Sequence, residues 1–103
     1  ETTVELADHL ARRCREADDF EALPDVPELS VVCFRHLPGR DMTRAGLDAH
    51  QDRLQALLEE SGDGWLTTTR LRGATYLRAG IVNYLATEAD IDRLLDTLRR
   101  LAR

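Results

Sequence analysis

Lysine is absent from this sequence of 103 residues: all 14 basic side chains are arginine. A phosphate loop of the GxxxxGK[ST] type therefore cannot occur, and no GxGxxG is present either. The three histidines (His9, His36, His50) and two cysteines (Cys14, Cys33) show no HxxxH or CxxC spacing, so a metal centre is not expected. Cys14 and Cys33 both fall at apolar positions and read as buried, reduced thiols of a cytoplasmic protein. Cys33 and His36 make a poor nucleophile–base pair, because i and i+3 on a strand point to opposite faces. No apolar run approaches the roughly 20 residues of a membrane helix. The first residues, ETTVELADHL, are too acidic and polar for a signal peptide. The only methionine is Met42, which suggests a piece of a longer protein. Positive charge is also short. A net charge of −5 argues against nucleic acid or an anionic membrane as partner. No self-contained active site is visible.

What remains is an ordinary globular composition, 43% apolar and 32% charged, of single-domain length. Leu6, Leu10 and Cys14, with Ala7 and Ala11 beside them, form a helical stripe over Val4 to Ala17. Phe20 to Leu23 reads as a short edge strand, followed by a loop at Pro24 and Pro27. The β-branched run from Leu29 to Leu37 reads as a strand buried on both faces. A helix is expected from about Thr43 to Ser61, with Leu47, Leu54, Leu57 and Leu58 inward and Gly62 as its stop. Trp65 to Leu71 and Ala74 to Asn83 read as a hairpin turned by Arg72-Gly73. Thr87 is an N-cap with Asp90 in capping-box position, opening a helix whose buried stripe is Ile91, Leu94, Leu95, Leu98 and Leu101. The pairs Asp18-Asp19 and Glu59-Glu60 read as solvated helix ends. The sum is an α+β fold: an antiparallel sheet of about four strands with helices packed on one face.

Arg78 interrupts the last strand. Alternation puts Leu77, Ala79 and Ile81 on the core face, and Arg78, Gly80 and Val82 on the other. Gly80 leaves room for something to approach. Arg78 is either a surface arginine paired with a nearby acid or a fork gripping a carboxylate. The pattern alone does not choose between them.

The order LSVVCFRHLPG, then GWLTTTRLRGATYLRAGIVNYLATEADIDRLLDTLRRL, resembles the C-terminal small domain of the group II pyridoxal-phosphate-dependent amino-acid decarboxylases. That family includes the glutamate, aromatic-amino-acid and 2,4-diaminobutyrate decarboxylases. The resemblance runs from about Phe20 to Leu101, with Val4 to Asp19 fitting the preceding helix. It implies that residues 1–103 are the small domain of a fold type I lyase whose large domain lies outside this chain. That large domain carries pyridoxal phosphate on a lysine, with an aspartate at the pyridine nitrogen and a histidine on the ring. None of these maps here, and without lysine no side chain of this chain can form the Schiff base. The resemblance further implies a cytoplasmic homodimer whose second subunit helps build the site. It places Arg78, from the family's R-x-x-I-x-N strand, on the substrate carboxylate. Arg35, in CFR, is expected to form an ion pair at the sheet edge, and Asn83 to cap a turn. The chain alone is expected to be inactive. Two other readings stand beside this one. One is a free-standing α+β ligand-binding or interaction module, favoured if the outer sheet face is polar rather than broadly apolar. The other is a different fold type I enzyme, such as an aminotransferase.

Overall fold

The computed structural model describes residues 2–23, 30–62, 66–80 and 87–103. The elements follow the order α1 (Thr3–Glu16), β1 (Phe20–Ala22), β2 (Val31–His36), α2 (Arg44–Glu60), β3 (Leu66–Leu71), β4 (Ala74–Gly80) and α3 (Glu88–Leu101). The expected α+β fold is what forms: one antiparallel sheet, in the order β1-β2-β4-β3, with three helices against it. The expected loop at Pro24 and Pro27 and the expected roles of Ile81, Val82 and Asn83 fall outside the described residues.

Each helix begins where short-range chemistry dictates. Thr87 accepts from the Asp90 N–H while Asp90 bonds back to the Thr87 N–H, a complete capping box. Thr2 and Glu5 build a second such box on α1. Thr43 caps α2 by accepting from the Gly46 N–H. Gly62, at φ +90°, leaves α2 in a left-handed conformation that a side chain would oppose. The β3–β4 hairpin closes through Arg72 (φ 54°) and Gly73 (φ 78°), the two positive φ values of a primed two-residue turn.

Alternation sorts the strands into two faces. Phe20, Val32, Phe34, Leu66, Leu77 and Ala79 join Leu6, Leu10 and Cys14 of α1, Leu54 and Leu58 of α2, and Ile91, Leu94, Leu95 and Leu98 of α3 in one core. Leu101 packs against its margin. On α2, Leu47 and Leu57 are only half-buried; His50 and Gln51 fill the inward stripe in their place.

Gln51 is there because two strands part. The β2–β4 register runs to the pair Phe34–Leu77. Beyond it, α2 supplies the hydrogen bonds. Gln51 Oε1 accepts from the His36 N–H at 3.0 Å, and its Nε2 donates to the His36 carbonyl at 2.8 Å. Asp48 Oδ1 accepts from the Thr75 N–H at 2.8 Å. A buried backbone group left unpaired here would cost about 1–3 kcal/mol, so these two side chains act as an added rung.

Asp19 is not a solvated helix end. Arg99 of α3 grips it bidentately, at 2.7 Å from Nε and 3.1 Å from Nη2, and lies 5.1 Å over the Phe20 ring. The Arg99 hydrogen bond, ahead of other causes, holds the Asp19 carboxyl below its usual range. No disulfide joins Cys14 and Cys33, both of which are buried. Burial pushes the Cys14 thiol up to about 12, leaving it protonated and unreactive at neutral pH. Ellman's reagent is therefore expected to leave both thiols untouched in the native protein and to titrate two equivalents in urea. Rapid labelling of the folded protein would show that the core opens readily.

Candidate functional site

The helices leave one sheet face open, and Arg78 stands near its centre. Its Cα partners are Cys33 on β2 and Thr67 on β3, and Tyr76 and Gly80 share its face along β4. Cys33 and Tyr76 are buried despite facing away from the helices. The guanidinium of Arg35 lies over the Tyr76 ring, 5.1 Å from its centroid. Arg35 also donates from Nε to Glu21 Oε1 across the β1–β2 pair Glu21–Arg35. That is the expected edge ion pair, formed between the outermost strand and its neighbour.

The two arginines of this face are thus in different electrostatic positions. Arg35 is neutralised by Glu21 and held flat by a ring. Arg78 is half-buried and forms no ion pair with any acid among the described residues. The plainer expectation, an arginine paired with a neighbouring carboxylate, finds no such partner among the described residues. Its guanidinium reaches along β4 toward Gly80. A Cβ placed on Gly80 would meet only Arg78 Nη1, at 4.0 Å, which is ordinary contact. Gly80 also lacks a positive φ. Neither backbone nor packing within the described residues requires glycine there, and those residues leave room over Gly80 and Arg78 for an approaching group. A planar fork of donors with no internal acceptor is suited to a carboxylate or another planar oxyanion.

The described residues form no large apolar patch on this face. Among the described residues the exposed large hydrophobics are Val4 and Leu71, at 37% and 38%. Among those same residues, no group of three or more histidine, cysteine or acidic side chains could hold a metal ion. No helix of the described residues is long and apolar enough to cross a membrane.

Sequence reading missed a second cluster, on the core side. His36 Nδ1 and His50 Nε2 are hydrogen-bonded at 3.0 Å, and His36 Nε2 lies 3.9 Å from Asp19 Oδ2. The Phe20 ring meets His36 edge-on at 5.1 Å. Burial first, then the neighbouring His50 charge, lowers His36 below the usual histidine range, against a smaller opposing pull from Asp19. Burial, then Arg40 and Arg53, does the same to His50. Cys33 is on the opposite face from His36, as alternation requires, so no nucleophile–base pair forms. His9 is also buried, between α1 and α3, bonding Asp92 through Nε2 at 2.9 Å.

No family model matches the sequence. Solved structures do match the fold. Oryza sativa TDC, determined with PLP and tryptamine, aligns with a TM-score of 0.83 at 20% identity, over 97% of this chain and 21% of its own. Catharanthus roseus tryptophan decarboxylase in complex with L-tryptophan gives 0.80 at 24% identity, over 97% and 21%. The third is the glutamate decarboxylase domain of diaminobutyrate-pyruvate transaminase and L-2,4-diaminobutyrate decarboxylase from Vibrio parahaemolyticus. It gives 0.77 at 30% identity, over 95% and 22%. These three structures include tryptophan and L-2,4-diaminobutyrate decarboxylases, the Oryza one holding PLP, and this chain spans about a fifth of their length.

Proposed function

We propose that this chain is the C-terminal small domain of a pyridoxal-phosphate-dependent L-amino-acid decarboxylase, which releases CO2 and an amine. In this reading it closes the substrate side of a site built by a large domain and a second subunit of a cytoplasmic homodimer. The observation that carries it is Arg78, a guanidinium on the open sheet face that, among the described residues, has no acidic partner and has room beside it at Gly80. The likeness to decarboxylase structures, one of them 30% identical over 95% of the chain, supplies the reaction class.

The residues present do not themselves fit the cofactor. There is no lysine amine to hold its aldehyde. Glu21, the acid on the described part of the open face, is already committed to Arg35. Any cofactor must therefore be anchored by other parts of the enzyme. What this chain contributes is orientation. Arg78 would bind the substrate carboxylate through two parallel N–H donors and fix the direction of the bond to be broken. Too tight a grip would stabilise the bound substrate as much as the transition state, so one arginine at a half-open position is a suitable strength.

The lack of a large apolar patch on the described part of the open face favours a second reading, a free-standing module that binds an anionic ligand without catalysis. It does not decide the matter, since faces between domains of one chain are themselves more polar than permanent interfaces. Isolation of the natural polypeptide separates the two. A larger, lysine-bearing chain absorbing in the visible band of bound pyridoxal phosphate is the expected result. A colourless protein of 11.6 kDa would leave only the binding module.

A further inference from the structure

The His36–His50 pair takes no part in the chemistry proposed for Arg78, yet it lies at 6% and 7% exposure between β2 and α2. A hydrogen bond between two imidazoles needs one N–H and one lone pair. The neutral pair has them. A singly protonated pair has them too, because one ring still offers an acceptor at the shared contact. A second proton removes that acceptor. Two N–H groups then face each other across 3.0 Å, on two like charges in a buried site.

The surrounding groups do not offset this. Asp19, in the turn between α1 and β1, is 3.9 Å from His36 Nε2, but Arg99 of α3 already grips both its oxygens. Arg40, before α2, and Arg53, on α2, add further positive charge around His50. Phe20 offers His36 only a ring. Among the described residues, one committed carboxylate therefore stands against three arginines.

We propose that His36 and His50 form an acid-released latch, holding α2 to β2 while the pair carries at most one added proton and letting go when both rings are charged. Opening has a consequence beyond the rings. The same helix carries Gln51 and Asp48, whose side chains satisfy the His36 backbone and the Thr75 N–H. Release of α2 therefore also loosens the end of the central β2–β4 pair. Both rings are held below the ordinary histidine value of 6.5. A base depressed in the fold binds more protons when unfolded, so the stability it contributes is complete above about 6.5 and is lost as pH falls below it. The inference is independent of the role given to Arg78.

The test measures urea unfolding and amide exchange of α2 from pH 7.5 to 5, in the unmodified protein and in His50→Gln. Glutamine can still bond His36 Nδ1 but cannot titrate. In the unmodified protein the unfolding constant should rise by up to about a hundredfold per pH unit, the two-proton limit, with α2 amides losing protection first. In His50→Gln the rise should fall to about tenfold per unit or less. Any contribution from His9 is common to both proteins and cancels in the difference. Equal pH dependence in the two, or α2 protection unchanged down to pH 5, overturns the latch. If His50→Gln does not fold, ring-proton NMR of the unmodified protein decides. Two rings titrating below 6.5 as α2 protection disappears sustain the latch. Rings titrating in the ordinary range with α2 intact overturn it.

Discussion

Arg78→Ala, made in the full-length enzyme, is expected to lower kcat/KM for the amino-acid substrate by roughly 10²- to 10³-fold while leaving the urea midpoint almost unchanged. The kinetic size follows from the loss of a bidentate, charge-assisted contact, about 3–4 kcal/mol when its partner carboxylate is left in a closed site. The small stability effect follows from the fold. Arg78 forms no ion pair with a described residue and is only half-buried, so its removal should change stability by about 0.5 kcal/mol or less. Arg78→Lys separates charge from geometry. It keeps the cation and loses the planar fork, so it should recover part of the activity, with the remaining deficit in kcat if orientation is the main contribution. A deficit confined to KM would mean that Arg78 only binds. Full activity of Arg78→Ala would end the carboxylate assignment. An unfolded Arg78→Ala would show instead that the arginine is structural. Arg35→Ala is the informative contrast, because Arg35 is tied to Glu21 and Tyr76 and should act mainly on the sheet edge.

The face of Arg78 was legible because strand alternation is a strict period of two, and Leu77 and Ala79 announce the core side. The hairpin turn and the Thr87 cap were legible for a similar reason: both depend on residues within four positions of each other. That no acid among the described residues pairs with Arg78 was not legible. It depends on the sheet order β1-β2-β4-β3, which brings Cys33, rather than a carboxylate, to the Arg78 row. Asp19 was misread for the opposite reason. A carboxylate just past a helix looks solvated until α3, some 80 positions on, brings Arg99 to it. The inward positions His50 and Gln51 were missed because a hydrophobic-periodicity argument treats every polar side chain as outward-facing. The only signal available was spacing: 47, 50, 51, 54 and 58 form a continuous stripe once polar residues are admitted to it. Nothing local marks the ends of β2 and β4 as needing partners.

That missed glutamine gives the largest expected stability effect. Gln51→Leu should lower stability by about 2–6 kcal/mol at pH 7.5, although the two side chains are similar in volume. Gln51 is fully buried, so leucine would fill much the same space and leave little cavity. What disappears is the pair of hydrogen bonds to the His36 N–H and carbonyl, leaving two buried backbone groups without partners at about 1–3 kcal/mol each. A domain of this size holds only about 5–15 kcal/mol in total, so the variant should be marginal at 37 °C. Gln51→Glu isolates the two bonds. The introduced carboxylate still accepts from the His36 N–H but turns a second lone pair toward the His36 carbonyl. Protonation restores a donor there. Burial and that carbonyl both favour the neutral acid, so the introduced carboxyl holds its proton to a higher pH in the fold than in the unfolded chain. The stability gained from it is therefore present at low pH and lost as pH rises. Measured against Gln51→Leu, the Gln51→Glu variant should recover stability on mild acidification, before the histidine latch opens. If Gln51→Leu unfolds at the same urea concentration as the parent, the splayed ends of β2 and β4 find water instead, and the rung supplied by α2 is not what closes the sheet.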